Sequence, residues 1–517
     1  MSATWLKNAI FYEIYPQSFY DSNNDGIGDI NGITVKLDYI KSLGCNAIWI
    51  NPCFDSPFKD AGYDVRDYKK VAPRYGTNDD LVKLFEKAHE MDMHVLLDLV
   101  AGHTSEEHPW FLESSKAERN EYSDRYIWTD FCFGNADDLP YIGGECERNG
   151  TYVLNFFKCQ PALNYGFLNV TKPWQKPMND PAVIATREAL KDIMRFWLDL
   201  GCDGFRVDMA SSLVKHDDDK KSGTSAIWHD IRRMLECEYP EAAMVAEWSD
   251  PGLSLRAGYD TDFYLNVTGN GYSTLVRDYE NHENEDHSYF KKDAGGNINR
   301  FLDEYMDWYE DTKDIGYISL FTCNHDTIRP RYNMDYRELK LFYAFLFTMP
   351  GVPFLYYGDE IGMRYQQLPT KEGGYFRTGS RTPMQWDEGK NLGFSGADGD
   401  ELYLPVDPSS DAPTVSSQEK DEDSLLNTVR RILALRTDHE DLQSDAKLTF
   451  ICTEPDRPLV YQRGSLFVAI NPRGVKSSLK KELPIGEKLF EIGDAFYDKG
   501  ELTLAPQSFG VYKSSEG

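Results

Sequence analysis

The feature that most constrains the fold is a repeated alternation of short apolar strands with amphipathic helices along most of the chain. Helical patterns run from Ile33 to Leu43, from Asn78 to Met91 and from Pro181 to Leu200. Eight strand-like runs surround them: Ala9–Pro16, Cys45–Pro52, His94–Val100, Gly204–Met209, Ala242–Trp248, Asp262–Val267, Tyr317–Cys323 and Val352–Tyr357. Nearly continuous apolar strands are typical of parallel sheets. The pattern predicts an α/β protein, a (β/α)8 TIM barrel with its active site at the carboxyl ends of the strands.

Two segments depart from this alternation. Residues 103–180 are rich in aromatic residues, Gly, Asp and Asn, which predicts an irregular subdomain inserted after the third strand. Near the C-terminus, short β-like runs alternate with turn residues. We therefore predict that residues 1–102 and 181–440 form the barrel, 103–180 the inserted domain, and 441–517 a C-terminal antiparallel β-sandwich domain.

Charge and cysteine content restrict the partners and the compartment. The formal net charge of -30 argues against a nucleic-acid partner or an anionic membrane, and leaves small neutral substrates open. No apolar stretch is long enough to span a bilayer, and no secretory signal is visible. The nine cysteines have no metal-binding spacing, which suggests reduced thiols in a cytoplasmic protein. The sequence does not indicate an oligomeric state or an organic cofactor.

The strand Gly204–Met209 carries two opposite charges on one face. Side chains alternate along a strand, so Arg206 and Asp208 point the same way. The pair could be a structural ion pair, or a carboxylate nucleophile that its arginine neighbour keeps ionised. Three other strand ends carry similar groups: Asp98 with His103, Glu247, and Asp326 in Asn324-His325-Asp326. Four such coincidences at the same face of a barrel favour the catalytic interpretation.

These motifs resemble the α-amylase family of glycoside hydrolases, in its exo-acting branch of α-glucosidases and oligo-1,6-glucosidases. The resemblance extends from Phe11 into the C-terminal β domain. It implies that Asp208 is the nucleophile, Glu247 the general acid/base, and Asp326 the carboxylate that holds the distorted sugar. It also implies that Arg206, His103 and His325 orient the nucleophile or bind sugar hydroxyls.

The same resemblance implies a pocket for the non-reducing glucose. Tyr63 and Asp64 match the stacking aromatic ring and the carboxylate that hold this sugar, and Phe157 aligns with an aromatic wall, although it could equally be core packing. Arg381, in the run from Arg381 to Asp387, matches an arginine that closes over the sugar. If Asp64 and Arg381 meet across the barrel mouth, they would block it and allow only a chain end to enter.

The chemistry of the two carboxyl groups supports these roles. Retaining glycosidases need two carboxyl groups about 5 to 5.5 Å apart, one ionised and one protonated. We expect Arg206 to keep Asp208 ionised, and the neighbours Ala246 and Trp248 to give Glu247 an apolar setting that keeps it protonated.

A second site is predicted at the loop from Asp21 to Asp29, which alternates oxygen-bearing side chains and contains a glycine turn. One hard cation, Ca²⁺ or Mg²⁺, could bind there as a structural ion. Its ligands would be Asp21, Asn23, Asp25, the carbonyl of Ile27, and Asp29. Gly102 replaces an asparagine that many secreted amylases use for a different calcium ion, so we do not expect that site.

Three functions remain open. The first is a hydrolase that removes terminal α-glucosyl units from short oligosaccharides with retention of configuration. The second is a transglucosylase, or a trehalose- or sucrose-type isomerase or hydrolase, that uses the same covalent intermediate. The third is a non-enzymatic relative, which the intact acids Asp208, Glu247 and Asp326 argue against. The linkage preference cannot be read, because Met209 matches neither residue that usually follows the nucleophile in the α-1,4- and α-1,6-specific enzymes.

Overall fold

The computed structural model describes residues 3–281 and 285–515. Its centre is a parallel sheet of eight strands that follow one another around a barrel in chain order. We number them β1 to β8: Phe11–Ile14, Ala47–Ile50, His94–Val100, Gly204–Asp208, Ala243–Ala246, Thr261–Phe263, Tyr317–Ser319 and Phe354–Tyr356. The predicted (β/α)8 barrel is confirmed.

The barrel closes between its first and last strands. Phe11 in β1 pairs in parallel with Phe354 in β8, and their rings stack with centroids 4.4 Å apart. The seam between β7 and β8 is a single parallel bridge, from Phe321 to Phe354, beyond the end of β7. The barrel interior is filled by aromatic and branched side chains, such as Trp49 and Phe263, and is not a pore.

Amphipathic helices cover the outer face of the barrel. Local signals fix their ends: Thr77 and Asp80 form a reciprocal capping box at the start of Asn78–Glu90, and Asp335 and Glu338 form another at Tyr336–Thr348. The principal helices are Ile30–Val35, Leu37–Leu43, Asn78–Glu90, Pro181–Asp199, Ser222–Glu238, Asn299–Thr312, Tyr336–Thr348 and Leu425–Asp438. The single helix predicted from Ile33 is two helices that begin at Ile30 and break at Lys36.

The chain leaves the barrel after β3 and returns at the helix Pro181–Asp199. This excursion contains the short helix Pro109–Ser114 and a hairpin of Tyr141–Gly143 with Thr151–Val153. An isolated bridge between His103 and Ala162 fastens it to the end of β3.

The C-terminal domain consists of two antiparallel sheets. The five-stranded sheet contains Leu448–Cys452, Leu459–Arg463, Leu466–Asn471, Ser508–Ser514 and Ile485–Ile492. The three-stranded sheet contains Ser477–Lys480, Glu501–Leu504 and Ala495–Asp498. Leu502 and Leu504 pack with Val460 and Phe467 in a buried cluster, as the predicted β-sandwich requires.

Several barrel strands are shorter than their apolar runs predicted. The run Asp262–Val267 forms a strand only over Thr261–Phe263, and Tyr317–Cys323 only over Tyr317–Ser319. The remaining residues of each run belong to the loop that follows. The predicted runs of β4 and β5 are also shortened at their carboxyl ends, so that Asp208 is the last residue of β4 and Glu247 directly follows β5.

Candidate active site

The guanidinium of Arg206 lies at the centre of the site. It is 2% exposed, and its Nη1 lies 2.8 Å from Asp98 Oδ1 and 3.1 Å from Asp208 Oδ1. Its Nη2 lies 2.9 Å from Glu247 Oε1. Asp98 lies in β3, Arg206 and Asp208 lie in β4, and Glu247 directly follows β5, so one cation bridges three carboxyl groups at the carboxyl end of the sheet.

This arrangement changes the electrostatics that the sequence predicted for Asp208. Burial and the nearby charge of Glu247 raise the pKa of Asp208. Arg206 offsets this rise only in part, because its guanidinium also pairs with Asp98 and Glu247. Arg206 lowers the pKa of Asp208, as expected, but burial and the charge of Glu247 outweigh it, so the net shift of this pKa is upward. Three carboxyl groups thus share one guanidinium, which is why its charge offsets the burial of Asp208 only in part.

The setting of Glu247 is polar rather than apolar. Its Oε2 accepts a hydrogen bond of 2.8 Å from the backbone N–H of Met209, and its Oε1 pairs with Arg206. Its side chain is 18% exposed, against 10% for Asp208, so Glu247 lies closer to the mouth of the barrel. Met209, with a left-handed backbone at φ 44°, begins the turn that follows β4.

Three cationic side chains surround Asp326. Its Oδ1 pairs with Arg377 Nη1 at 2.8 Å and with Arg381 Nη2 at 3.0 Å, and its Oδ2 lies 3.2 Å from His325 Nε2. These cations hold the pKa of Asp326 well below its usual range despite burial. Asp326 is therefore a fixed anion that also faces the cavity.

Tyr63 and His103 lie beside this group, as predicted. The ring of Tyr63 stacks on His325 with centroids 5.4 Å apart, and its hydroxyl lies 2.7 Å from His325 Nε2 and 3.1 Å from Asp98 Oδ2. His103 Nε2 donates to the Tyr63 carbonyl, and its Nδ1 accepts from the Asn155 amide. Burial lowers the pKa of His103 to about 4, so this imidazole is neutral.

The expected pair of Asp64 and Arg381 does not form. Asp64 accepts hydrogen bonds from Ser56 Oγ and from the backbone N–H groups of Lys59 and Asp60. It stabilises its own loop, and burial raises its pKa to about 6. Arg381 donates instead to the carbonyl of His325 and to Asp326.

A different ion pair forms at the cavity, between Asp60 and Arg377, each four residues before its predicted counterpart, Asp64 or Arg381. Asp60 Oδ1 lies 3.4 Å from Arg377 Nη2, and Asp60 Oδ2 accepts a hydrogen bond of 2.7 Å from Gln160. Sequence reasoning missed all three side chains. Asp60 and Asp64 flank the same Gly62-Tyr63 turn, so the sequence offered two candidate carboxylates and no means of choosing between them.

The cavity itself has a volume of about 150 Å³. It is lined by Asp60, Tyr63, His103, Phe156, Gln160, Asp208, Met209, Glu247, Asp326 and Arg377. The aromatic wall is thus Phe156, and the predicted Phe157 packs behind it, with ring centroids 4.4 Å apart, and toward Tyr375. Polar groups of both charges converge on one small cavity, which suits a neutral, hydroxyl-rich ligand.

In the predicted cation loop, the side-chain oxygens already accept hydrogen bonds, mostly from backbone N–H groups of the loop itself. Asp21 Oδ1 accepts from the N–H of Asn24 at 2.7 Å, and its Oδ2 accepts from Ser395 Oγ at 2.6 Å. Asn23 and Asp25 accept from N–H groups two residues further along, and Asp29 caps the helix Ile30–Val35. Among the described residues, no three His, Cys, Asp or Glu side chains cluster as metal ligands. Carboxylate and amide oxygens are the kind of ligand that a hard cation prefers. Metal binding at this loop stays a prediction.

The space beside Gly102 is occupied by the side chain of Asn155. A Cβ at residue 102 would lie only 2.7 Å from Asn155 Nδ2. An asparagine therefore could not replace Gly102 without displacing the amide that binds His103.

Comparison with known proteins shows the family. The model of the α-amylase catalytic domain matches residues 13–445. The chain belongs to the α-amylase family. It is 33% identical to the trehalose synthase/amylase of Mycolicibacterium smegmatis over 84% of this chain and 77% of that one. It is 31% identical to an oligo-1,6-glucosidase of Parageobacillus thermoglucosidasius over 85% of each.

Solved structures agree with this membership. An isomaltulose synthase mutant from Erwinia rhapontici, in complex with D-glucose, superposes with a TM-score of 0.81 and 26% identity over 99% of each chain. The protein is accordingly a glycosidase of the α-amylase family with carbohydrate as its class of substrate. Across the residues that the structure describes, no helix has the length and apolar character needed to cross a bilayer.

Proposed function

We propose that the protein is an exo-acting, retaining glycosidase that removes terminal α-glucosyl units from short oligosaccharides. The observation that carries the proposal is the small cavity in which Asp208 and Glu247 face a network of Asp60, Arg377 and Asp326. Ion pairs across the cavity leave lone pairs and N–H groups for the hydroxyls of one sugar ring. A site of this form accepts a chain end and excludes the middle of a polymer.

In the proposed reaction, Glu247 donates its proton to the glycosidic oxygen while Asp208 attacks the anomeric carbon. The bond to the leaving sugar breaks, and a covalent glucosyl-aspartate forms. Water then attacks the same carbon, Glu247 takes a proton from it, and Asp208 leaves as a carboxylate. Two inversions give overall retention. The greater exposure of Glu247 supports its assignment to the side from which the leaving group departs.

A second candidate passes the glucosyl group to a sugar hydroxyl instead of water. Two of the similar proteins are named trehalose synthase/amylase and isomaltulose synthase, which supports this alternative. The exposed rings of Phe156 and Tyr375, on either side of Phe157, also offer an apolar surface against which an acceptor sugar could stack.

Product analysis separates the two candidates. The enzyme is incubated with maltose, isomaltose, trehalose and sucrose in separate reactions, and the products are followed by NMR at the anomeric protons. Free glucose released first as the α-anomer supports the hydrolase. Isomeric disaccharides formed without free glucose support transfer. No product from any of the four, or glucose released first as the β-anomer, would contradict the proposal.

Two further features belong to this proposal. We infer that the loop Asp21–Asp29 holds one structural Ca²⁺ or Mg²⁺, since its side-chain oxygens suit a hard cation. We also infer that the protein works in the cytoplasm, because its nine cysteines are free thiols, including the exposed Cys237. The substrate is a small neutral oligosaccharide.

A further inference from the structure

His325 lies between two carboxyl groups, one at each ring nitrogen. Its Nδ1 is 2.7 Å from Glu13 Oε1, and its Nε2 is 3.2 Å from Asp326 Oδ2. Asp326 faces the sugar cavity, whereas Glu13 is fully buried on β1, inside the barrel. A neutral imidazole has one N–H and could donate to only one of these acceptors. The geometry therefore fits an imidazolium that donates to both.

Other elements also bring polar groups toward this imidazole. The Asn51 amide lies 3.1 Å from Nδ1, and the Tyr63 hydroxyl lies 2.7 Å from Nε2. Asp98 and Arg206 lie near enough to act through their charges, on His325 and on Glu13 respectively. Arg381 binds the backbone carbonyl of His325 rather than its ring.

Glu13 occupies a position that stability alone does not explain. Its Oε2 is buried and, within residues 3–281 and 285–515, has no hydrogen-bond partner. A buried oxygen without a partner costs stability. Burial also raises the pKa of Glu13, and its contacts with His325 and Asn51 oppose that rise. The carboxyl group of Glu13 is therefore better explained by its effect on the imidazole of His325, which it contacts.

We propose that Glu13 is a positioning residue that keeps His325 charged and oriented toward Asp326, and so maintains the sugar-binding anion at the cavity. This inference rests on the proposed function, because it assigns a partner to that same site. Glu13 lies behind His325 and touches no substrate. Burial lowers the pKa of His325, but the charges and hydrogen bonds of Asp326 and Glu13 outweigh it and raise this pKa to about 9, which agrees with the geometry.

The direct test is Glu13→Gln, which keeps the shape and removes the charge. The matched control is Glu360→Gln. Glu360 is also a fully buried glutamate with a partnerless Oε2, but its Oε1 accepts from Tyr12 and Tyr39, and it does not contact His325. Activity is measured as kcat/KM from pH 5 to 10 with p-nitrophenyl α-D-glucopyranoside, whose leaving group needs little help from Glu247.

We expect the alkaline limb of the Glu13→Gln profile to move down by about one pH unit or more, while Glu360→Gln keeps the wild-type limb. Glu13→Asp, which retains a charge, should lie closer to wild type. An unchanged limb in Glu13→Gln, or equal shifts in both glutamine variants, would overturn the proposal.

A second readout does not require activity. A group whose pKa rises from 6.5 to about 9 on folding contributes stability that is complete below pH 6.5 and is lost as the pH rises through 9. Urea midpoints of the wild type should therefore fall between pH 6.5 and 9.5, and this fall should shrink in Glu13→Gln and in His325→Gln. Wild type that unfolds in this way but cleaves no glucoside would contradict the proposed function alone. A fall of equal size in all variants would contradict the role of Glu13.

Discussion

Among single residues, Asp208 gives the sharpest prediction. Asp208→Asn should lower kcat by about 10⁴-fold or more, because the amide has nearly the same shape but cannot attack the anomeric carbon. The measurement is initial rates on maltose and isomaltose, with circular dichroism to check the fold. Asp203→Asn is a suitable control, since Asp203 immediately precedes the same strand, at the end opposite Asp208, and binds His89 and His94. More than a tenth of wild-type activity in Asp208→Asn would move the nucleophile elsewhere.

The ion pairs that cross the cavity give a second prediction. Arg377→Ala should lower kcat/KM by about 10²- to 10³-fold, since it leaves Asp60 and Asp326 short of a partner in a confined site. Asp60→Ala should also lower kcat/KM, and the free-energy loss in the double mutant should be smaller than the sum of the losses in the two single mutants. The exposed pair of Arg256 and Asp311 serves as a control, because Arg256→Ala should leave the rate unchanged. Additive losses in the double mutant would show that Asp60 and Arg377 act independently.

The same residues show where sequence reasoning ended. Arg206, Asp208 and Glu247 could be brought together from the sequence, because they lie at the ends of adjacent strands in a regular sheet. Asp60 and Gln160 lie on irregular loops and Arg377 lies in the short 3-10 helix Tyr375–Ser380, and no periodic pattern in the sequence sets their directions. The pKa of Asp208 was misjudged for a related reason: a sequence shows that Arg206 is nearby, but not that two further carboxyl groups share it.

At the level of local elements, the loop Asp21–Asp29 gives a third prediction. It lies against residues 394–403, where the Asp21 N–H donates to the Phe394 carbonyl and the Tyr403 N–H to the Gly26 carbonyl. If the loop holds a cation, removal of the cation by EDTA should lower the melting temperature and leave the rate at low temperature unchanged, since binding to the native state stabilises it. The measurement is differential scanning calorimetry with elemental analysis. Equal melting curves after confirmed removal of metal would contradict metal binding.

Strands and loops differed in how well they could be predicted. The strand His94–Val100 was located to the residue, because five of its seven residues are apolar and only Asp98 interrupts them after a clear start at His94. The sixth strand was predicted at Asp262–Val267 but lies at Thr261–Phe263, because the apolar pattern continues beyond the strand into the following loop. Burial by tertiary contacts, rather than sheet pairing, accounts for Tyr264, whereas Val267 at the end of the run is exposed.

The size and charge of the cavity lead to a fourth prediction, about which substrates can enter. A cavity of about 150 Å³ that ends at the Asp60–Arg377 pair should admit one terminal sugar. The unmutated protein should therefore release monosaccharide from short oligosaccharides and leave a long dye-linked amylose intact. The measurement is release of soluble dye against release of glucose, with a commercial endo-amylase as the positive control. Rapid release of dye-linked fragments would show that the interior of a polymer can enter.

The closure of the barrel also has a consequence for how the chain is made. Phe354 pairs with Phe11 across about 340 residues of sequence, so the ring cannot close until the ribosome has produced nearly all of the barrel. At about 5 to 20 residues per second, this takes roughly 20 to 70 seconds. During that time β1 presents an unpaired edge and an apolar surface, which favour association with other nascent chains. We therefore expect the nascent chain to be most prone to association in the interval before its last strand emerges.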